Sequence, residues 1–153
     1  MREQRDALVE ALRGLAAGDD RPIVVEGAGP AFCAGGDPAE FGSVDDPTTA
    51  HLIRTTANAA PWMDRLADRI TVRVHGASVG AGVELAAFAH RVEATADATF
   101  CLPEVSMGLI PGAGGTVGVP RRIGRQRTMA WCLGGATIDA ETALAWGLGD
   151  EGG

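Results

Sequence analysis

Apolar residues recur near the N-terminus at the spacing of an amphipathic helix. Within residues 5–16 they fall on one face, with charged residues between them: Ala7, Leu8, Ala11, Leu12 and Leu15. The spacing predicts a helix over these residues. Pro22 then begins a short apolar run, PIVVE, which predicts a strand.

In the middle of the chain the hydrophobic period switches between two and 3.6 residues. ITVRVHG is β-branched, alternates and ends at glycine, which predicts a strand. RVEA and ATFCL are predicted to be two short strands around a turn, preceded by a helix from about Gly82 to Ala89. PTTAHLIRTTANAAPWMDRLAD is helical in pattern but broken at Pro61, which suits the first turn of a second helix.

The C-terminal third is predicted to be mostly helical. TVGVPRRIG and RQRTMAWCLGG are expected to form two helices separated by Gly124. Asp139 is the predicted N-cap of a last helix that Gly147 closes. The glycine-rich stretches GAGPAFCAGGD and PEVSMGLIPGAGG are predicted loops. Strands alternating with helices indicate a layered α/β fold, and 153 residues suit a single domain.

Composition narrows the classes of function. The net charge of −7 argues against a nucleic-acid partner, and no apolar run is long enough for a membrane span. The charged N-terminus does not match a signal peptide. Three scattered cysteines, Cys33, Cys101 and Cys132, form no C-x-x-C pair, which favours reduced thiols in the cytoplasm.

The residue types that are missing restrict the chemistry. All 13 basic residues are arginine, so a Walker A lysine and a lysine Schiff base are excluded. The chain has no tyrosine, and no Gly-x-Gly pair continues into a dinucleotide-binding fingerprint. Carboxylates, serine, histidine and backbone amides are left as candidate groups.

One stretch, GASVGAGVEL, has two interpretations. Its first five residues match the G-x-S-x-G pattern of a hydrolase nucleophile, with Ser78 at the centre. A hydrolase triad needs an acid and then a histidine later in the chain, and only Glu84 and His90 follow within twelve residues. We therefore interpret Ser78 as a packing residue in a tight turn, and a serine hydrolase as a distant alternative.

The second interpretation uses the backbone. Small residues at 80–82 open a predicted helix, whose first N–H groups lack partners inside the helix and could bind an anionic oxygen. FCAGGD is another bare turn after a strand. Glu84 follows in the first helical turn, and Glu104 follows an apolar strand. Considered alone, each of these segments is best explained as a tight turn. Glu84 alone would be a partner of the helix dipole, and Glu104 alone would be a surface charge. Together, the two carboxyls could serve as general base and general acid.

Three ordered motifs resemble the enoyl-CoA hydratase/isomerase (crotonase) superfamily: PIVVEGAGPAFCAGGD, VHGASVGAGVELA and TFCLPEVSMGLIPGAGGT. The resemblance extends through PRRIGRQRTMAWCLGGATIDAETALAWGLGDE. It implies an α/β fold, the crotonase-like spiral of ββα units, of which this chain would contain only the core portion. Residues 1–153 would form a single crotonase-like domain without the family's usual N-terminal hairpin and C-terminal helices.

The resemblance also implies roles for individual residues. The amides of Gly36 and Ala81 would bind the thioester oxygen, Glu84 would activate water, and Glu104 would protonate the α-carbon. Having both glutamates favours hydration of a trans-2-enoyl-CoA to a 3-hydroxyacyl-CoA. Neither a metal nor an organic cofactor is expected, because coenzyme A belongs to the substrate. Further substrate contacts would come from Ala34, Asp37, Gly80 and Gly112.

Other expectations depend on the same resemblance. An isomerase, or an acyl-CoA hydrolase or decarboxylase of this fold, is an alternative, and so is a catalytically silent binding or assembly module. The resemblance implies a homotrimer or hexamer. An arginine cluster at 121–127 could attract the phosphates of coenzyme A, although a surface or subunit contact is the favoured interpretation.

Overall fold

Six helices and six strands form the part of the chain that the computed structural model describes, which is residues 2–36, 46, 48 and 55–150. The helices are α1 (Arg2–Ala17), α2 (Ala60–Arg65), α3 (Ala81–Ala86), α4 (Gly115–Ile123), α5 (Arg125–Gly134) and α6 (Ala140–Trp146). The strands are β1 (Ile23–Glu26), β2 (Ile70–Val74), β3 (Ala77–Val79), β4 (Arg91–Ala94), β5 (Thr99–Cys101) and β6 (Ile138–Asp139). Short 3-10 helices cover Ala67–Arg69 and Glu104–Met107.

The strands form two separate three-stranded sheets. The first has the order β1-β2-β4 and is parallel throughout. The second has the order β3-β5-β6, in which β3 and β5 are parallel and β6 is antiparallel to β5. In the first sheet Val72 pairs with Val25 on one side and Val92 on the other, and Val72 is fully buried.

The chain winds between the two sheets as a spiral. Strand β2 enters the first sheet, β3 enters the second, and α3 follows. The next turn repeats this order with β4, β5 and the 3-10 helix Glu104–Met107. The preceding turn supplies β1 and then a single parallel bridge between Cys33 and Ser78. This succession confirms the predicted spiral of ββα units over the described residues.

The hydrophobic core lies between these turns and the outer helices. Helix α1 packs against α2, and Leu12 and Met63 are among the most deeply buried side chains. Phe100 and Leu102 fill the interior behind β5. The predicted face of α1 is thus confirmed at Leu12, whereas Leu15 remains more than a third exposed. In the described residues, no helix combines the length and apolarity needed to cross a bilayer.

Several predicted elements differ in detail from the structure. The segments RVEA and ATFCL do form strands, but β4 and β5 join different sheets and do not pair with each other. Ser78 lies in strand β3, so its assignment to a tight turn was wrong. Glu104 begins a 3-10 helix where an irregular loop was predicted. The strand β6 was not predicted, because two residues carry no periodicity.

Three of the four arginines between positions 121 and 127 contact other parts of the protein. Arg121 forms an ion pair with Asp64 at 2.5 Å, and the guanidinium of Arg127 stacks on Trp146. The guanidinium of Arg122 donates to the backbone carbonyls that follow α3, which are those of Ala87, Ala89 and His90. It also donates to Leu148 O and to the Asp150 carboxylate. These contacts support the structural interpretation of the cluster.

Candidate active site

The site begins where strand β3 turns into helix α3. Gly80 has a φ of +54°, a conformation that favours glycine, and its N–H donates to Cys101 O at 2.9 Å. Its carbonyl accepts from the N–H of Glu84 at 3.0 Å. Ala81 is the first helical residue, so its N–H has no acceptor within the helix. The turn therefore presents the Ala81 amide beside a bare glycine.

A second segment runs parallel to β3 and brings Gly36 to the same region. Cys33 N donates to Ala77 O at 3.1 Å, and Val79 N donates to Cys33 O at 2.8 Å. This bridge pairs Cys33 with Ser78. Gly36 and Ala81 each lie three residues beyond the paired positions, Gly36 in the bend after the bridge and Ala81 at the start of α3. The bridge fixes the register at residues 33 and 78, and the meeting of the Gly36 and Ala81 amides at one oxygen remains a prediction from the resemblance.

Close packing holds these two segments together. A Cβ atom at Gly82 would lie 2.7 Å from Cys33 Cβ, so the helix can approach the neighbouring segment only with glycine there. Gly35 has a φ of +94° and turns the chain close to Val79. The spacing of glycines in AGG and GAG is therefore required by the contact between the segments.

Glu84 points inward from α3 and is 2% exposed. Its Oε2 accepts two backbone hydrogen bonds, from Ala113 N at 2.7 Å and from Gly115 N at 2.8 Å. Burial raises the pKa of Glu84 to about 7, and the negative charge of Glu104 adds to the rise, although the two amide donors oppose it. A carboxyl with this pKa exchanges protons readily near neutral pH.

Glu104 is the first residue of the 3-10 helix and is 8% exposed. Its Oε1 lies beside Gly80, where a Cβ would approach it to 2.7 Å. Its Oε2 is buried and has no hydrogen-bond partner among the described residues. Burial raises the pKa of Glu104 as well. A buried carboxyl oxygen without a partner is unfavourable in a resting protein and suits a group that meets a ligand.

The two glutamates lie near each other: Glu104 Oε1 lies beside Gly80, whose carbonyl accepts from Glu84 N, and each side chain affects the pKa of the other. Two adjacent carboxyls in a buried place ionise in coupled steps, so the pair holds one proton over an intermediate pH range. One member can then accept a proton while the other donates one. The arrangement supplies an acid, a base and nearby helix-start amides.

Among the described residues, the others predicted to contact the substrate have no recorded contact with the glutamate pair. Ala34 and Gly112 are exposed, on the segments that carry Gly36 and Ala113 respectively. Asp37 lies outside the described residues. Ser78 is completely buried, and its hydroxyl has no partner among the described residues. A nucleophile must reach its substrate, so the burial of Ser78 argues against the serine hydrolase alternative.

Sequence reasoning missed the groups that hold Glu84. Ala113 and Gly115 lie about thirty residues farther along the chain, in the stretch PGAGG, which was predicted as a loop with Gly112 as a substrate contact. A Cβ at Gly115 would lie 2.7 Å from Glu84 Cγ, so the lack of a side chain there makes room for the glutamate. The run of glycines in PGAGG was the available signal in the sequence, but it did not show that Glu84 is the residue these glycines contact.

Neither a metal site nor either of two clefts in the described part of the chain competes with this centre. Within the described residues, no three His, Cys, Asp or Glu side chains come together as a metal site. One cleft of about 510 Å³ is lined by residues 123–127, and another of about 630 Å³ lies around Arg73 and His75. Neither includes Glu84 or Glu104 in its lining. The glutamate pair and the two amides are therefore the strongest candidate site.

Comparison with known proteins relates this geometry to one family. Residues 2–151 match the family model described as Enoyl-CoA hydratase/isomerase. A Bacillus subtilis (strain 168) protein named "Probable enoyl-CoA hydratase" is 34% identical over 131 residues, which is 84% of this chain and 50% of that protein. The chain thus spans about half the length of the curated relatives it matches.

Solved structures show the same fold. The enoyl-CoA hydratase from Thermoplasma volcanium GSS1 superimposes with a TM-score of 0.84 at 33% identity, over 94% of this chain and 58% of that one. A Thermobifida fusca YX protein solved in complex with CoA gives a TM-score of 0.85 at 28% identity, over 98% of this chain and 61% of that one.

Proposed function

Because the chain belongs to the enoyl-CoA hydratase/isomerase family, we propose that it hydrates a trans-2-enoyl-CoA to the 3-hydroxyacyl-CoA. The observation that carries the proposal is the buried pair of Glu84 and Glu104 beside the start of α3. Hydration adds a hydroxyl to one carbon and a proton to the next, so it requires a base and an acid that are adjacent. A pair that shares a proton meets this requirement.

In the proposed reaction the thioester oxygen accepts hydrogen bonds from the N–H groups of Gly36 and Ala81. These donors stabilise the enolate-like charge that develops when water attacks the β-carbon. Glu84 removes a proton from the water, and Glu104 delivers a proton to the α-carbon. The α3 helix supports the same charge, because the positive end of its dipole faces the oxygen.

The backbone contacts of Glu84 support its role as the base. Two amides donate to Oε2 and fix the carboxyl in position. Amide donors also favour the ionised form, which limits the rise in pKa that burial causes. Glu104, by contrast, has no hydrogen-bond partner on Oε2 among the described residues, which leaves that oxygen available to a substrate.

The test is turnover of crotonyl-CoA, followed by the loss of its enoyl absorbance. We expect Glu104→Gln to reduce kcat by about 10²-fold or more, because general acid catalysis contributes on this scale. Glu141→Gln, at an exposed position on α6, is the matched control and should leave the rate unchanged. Folded wild-type protein that turns over no enoyl-CoA of any chain length would contradict the proposal.

An isomerase is the second candidate, because the family description names both reactions. The carboxyl pair could also move a proton between two carbons of the same acyl chain. Product analysis in H₂¹⁸O distinguishes the two: hydration places the heavy oxygen on the β-carbon, whereas isomerisation shifts the double bond without taking up water. Binding of CoA thioesters without any turnover would instead favour the silent binding module.

The expected homo-oligomer is also proposed here, on the basis of exposed apolar side chains. Large apolar residues are unusually exposed on the 3-10 helix, the loop after it and the neighbouring helix α5: Met107 at 49%, Ile110 at 70%, Met129 at 62% and Leu133 at 67%. Analytical ultracentrifugation tests this, and a concentration-independent monomer mass would contradict it.

A further inference from the structure

Phe88 lies one helical turn after Glu84, and both side chains face helix α4. Phe88 N donates to Leu85 O at 3.2 Å, so the helical winding of α3 continues past Ala86. Residues four positions apart in a helix share one face. Phe88 is 8% exposed and belongs to the hydrophobic core. Its ring is therefore placed to fix the segment that packs against Glu84.

The start of helix α4 meets the Phe88 ring through glycine. A Cβ atom at Gly114 would lie 2.6 Å from Cε2 of the ring, and one at Gly118 would lie 3.1 Å from the same atom. Ala60 Cβ borders Gly114 as well, at 2.8 Å from that Cβ position. Arg121 continues the same face of α4, with its guanidinium 5.9 Å from the centroid of the ring. The ring therefore lies in a slot that only bare glycines leave open.

The same segment carries the amides that hold Glu84. Gly115 N donates to Glu84 Oε2 at 2.8 Å, and Ala113 N donates to the same oxygen at 2.7 Å. Gly114, which the Phe88 ring contacts, lies between these two donors in the chain. Any shift of Gly114 relative to the ring would move both donors, because each peptide unit is planar and rigid.

We propose that Phe88 is a positioning residue, whose ring sets the distance at which the amides of Ala113 and Gly115 hold Glu84. The effect on the reaction rests on the proposed function, because it takes Glu84 as the base. Burial raises the pKa of Glu84 to about 7, and the two amides limit this rise. Weaker amide contacts should therefore raise the pKa further and leave less of the ionised base at neutral pH.

Titration of Glu84 tests the position directly and needs no turnover. The Gly115 amide signal in heteronuclear NMR spectra follows the charge on Glu84, because this N–H donates to the carboxylate. For Phe88→Leu, which leaves a gap beside Gly114, we expect the midpoint of the titration to rise by about one pH unit. Glu84→Gln removes the carboxyl and identifies the titration that belongs to it.

Gly118→Ala tests the same contact from helix α4 and keeps the proposal testable if Phe88→Leu does not fold. Its new methyl group would lie 3.1 Å from the ring and press α4 away from α3, so we expect a smaller shift in the same direction. A midpoint within about 0.2 pH unit of wild type in both variants would overturn the proposal.

Leu12→Ala is the matched control for lost packing. It also removes several carbon atoms from the core, but it lies on α1, which packs against α2. The variant should lower the urea midpoint of unfolding about as much as Phe88→Leu does and leave the titration of Glu84 unchanged. A shift in Leu12→Ala equal to that in Phe88→Leu would show a general loss of packing and would overturn the positioning role.

Kinetics connect the position of Glu84 to the reaction. For hydration of crotonyl-CoA by Phe88→Leu we expect kcat to fall about tenfold at pH 7, while KM changes by less than about twofold, because a misplaced base affects the chemical step more than binding. Raising the pH should recover part of the loss as Glu84 becomes ionised. Leu12→Ala should keep the kcat of wild type.

The two measurements separate the position from the proposed function. A raised titration midpoint in folded protein that hydrates no enoyl-CoA would support the contact and refute the hydratase. Hydration with an unchanged midpoint in Phe88→Leu and Gly118→Ala would refute the contact alone. An unchanged kcat despite a raised midpoint would overturn the role of Phe88 in the reaction.

Discussion

Gly115 contacts Glu84 in two ways: its N–H donates to Oε2 at 2.8 Å, and its bare Cα leaves room for the side chain of the glutamate. A Cβ at position 115 would lie 2.7 Å from Glu84 Cγ and 2.8 Å from Pro111 Cβ. Both neighbours are buried and cannot move away easily. One residue thus supplies both the hydrogen bond and the space that Glu84 requires.

Gly115→Ala should displace Glu84 and reduce enoyl-CoA hydration by at least about tenfold, because small misplacements of a catalytic group have large effects. Overpacking should also lower the free energy of unfolding by roughly 1–3 kcal/mol. Gly14→Ala, in an open position within α1, is the control and should raise stability by up to about 1 kcal/mol. Rate measurements and urea denaturation check both effects; an unchanged rate in Gly115→Ala would argue against the contact.

The pKa of Glu84 predicts how stability depends on pH. Burial raises this pKa from 4.5 to about 7, so the folded protein binds more protons than the unfolded chain between these values. Stability from Glu84 is complete below pH 4.5 and is lost as the pH rises through about 7.

Glu84→Gln removes this titration. We expect the variant to have the same free energy of unfolding as wild type near pH 4.5. At about pH 8 its free energy of unfolding should be higher than that of wild type by roughly 3 kcal/mol. Denaturation across this pH range measures the difference. A difference that does not change with pH would show that Glu84 titrates at an ordinary pKa.

The amide of Ala81 can be removed without breaking the helix. Proline is well tolerated at the first helical position, which Ala81 occupies, and it lacks an N–H. If this amide binds the thioester oxygen, Ala81→Pro should reduce kcat by about 10²–10³-fold with little change in stability. Ala81→Gly keeps the N–H and serves as the control. Equal rates in the two variants would exclude the amide from the reaction.

Arg122 is expected to stabilise the C-terminal end of α3. Its guanidinium lies 12% exposed and donates to several carbonyls and to the Asp150 carboxylate at 3.1 Å. Arg122→Met keeps much of the apolar stem but leaves these acceptors unpaired, so we expect a loss of about 2–4 kcal/mol in the free energy of unfolding. Arg125→Met, at an exposed position, should change it by less than about 0.5 kcal/mol. Similar losses in both variants would contradict this assignment.

Local signals predicted much of the fold. Asp139 caps α6 through a hydrogen bond from Thr142 N at 2.8 Å, and Gly147 ends that helix with a φ of +83°. Pro61 lies in the first turn of α2. Caps and proline positions depend on neighbouring residues, so the sequence alone reveals them.

Long-range contacts were not predictable in this way. The partners of Glu84 lie in another turn of the spiral, and the two-residue strand β6 exists only because β5 is beside it. Ser78 was misplaced for the same reason, because its strand has only three residues and is defined by its neighbours. Placing Glu84 near Glu104 depended on the resemblance to a family, since no local pattern joins residues twenty positions apart.

The bridge between Cys33 and Ser78 also restricts where the chain can gain or lose residues. Inserting or deleting a residue between positions 33 and 36, or between 78 and 81, would change the position of Gly36 relative to Ala81. The two three-residue intervals, from Cys33 to Gly36 and from Ser78 to Ala81, are therefore expected to keep a constant length.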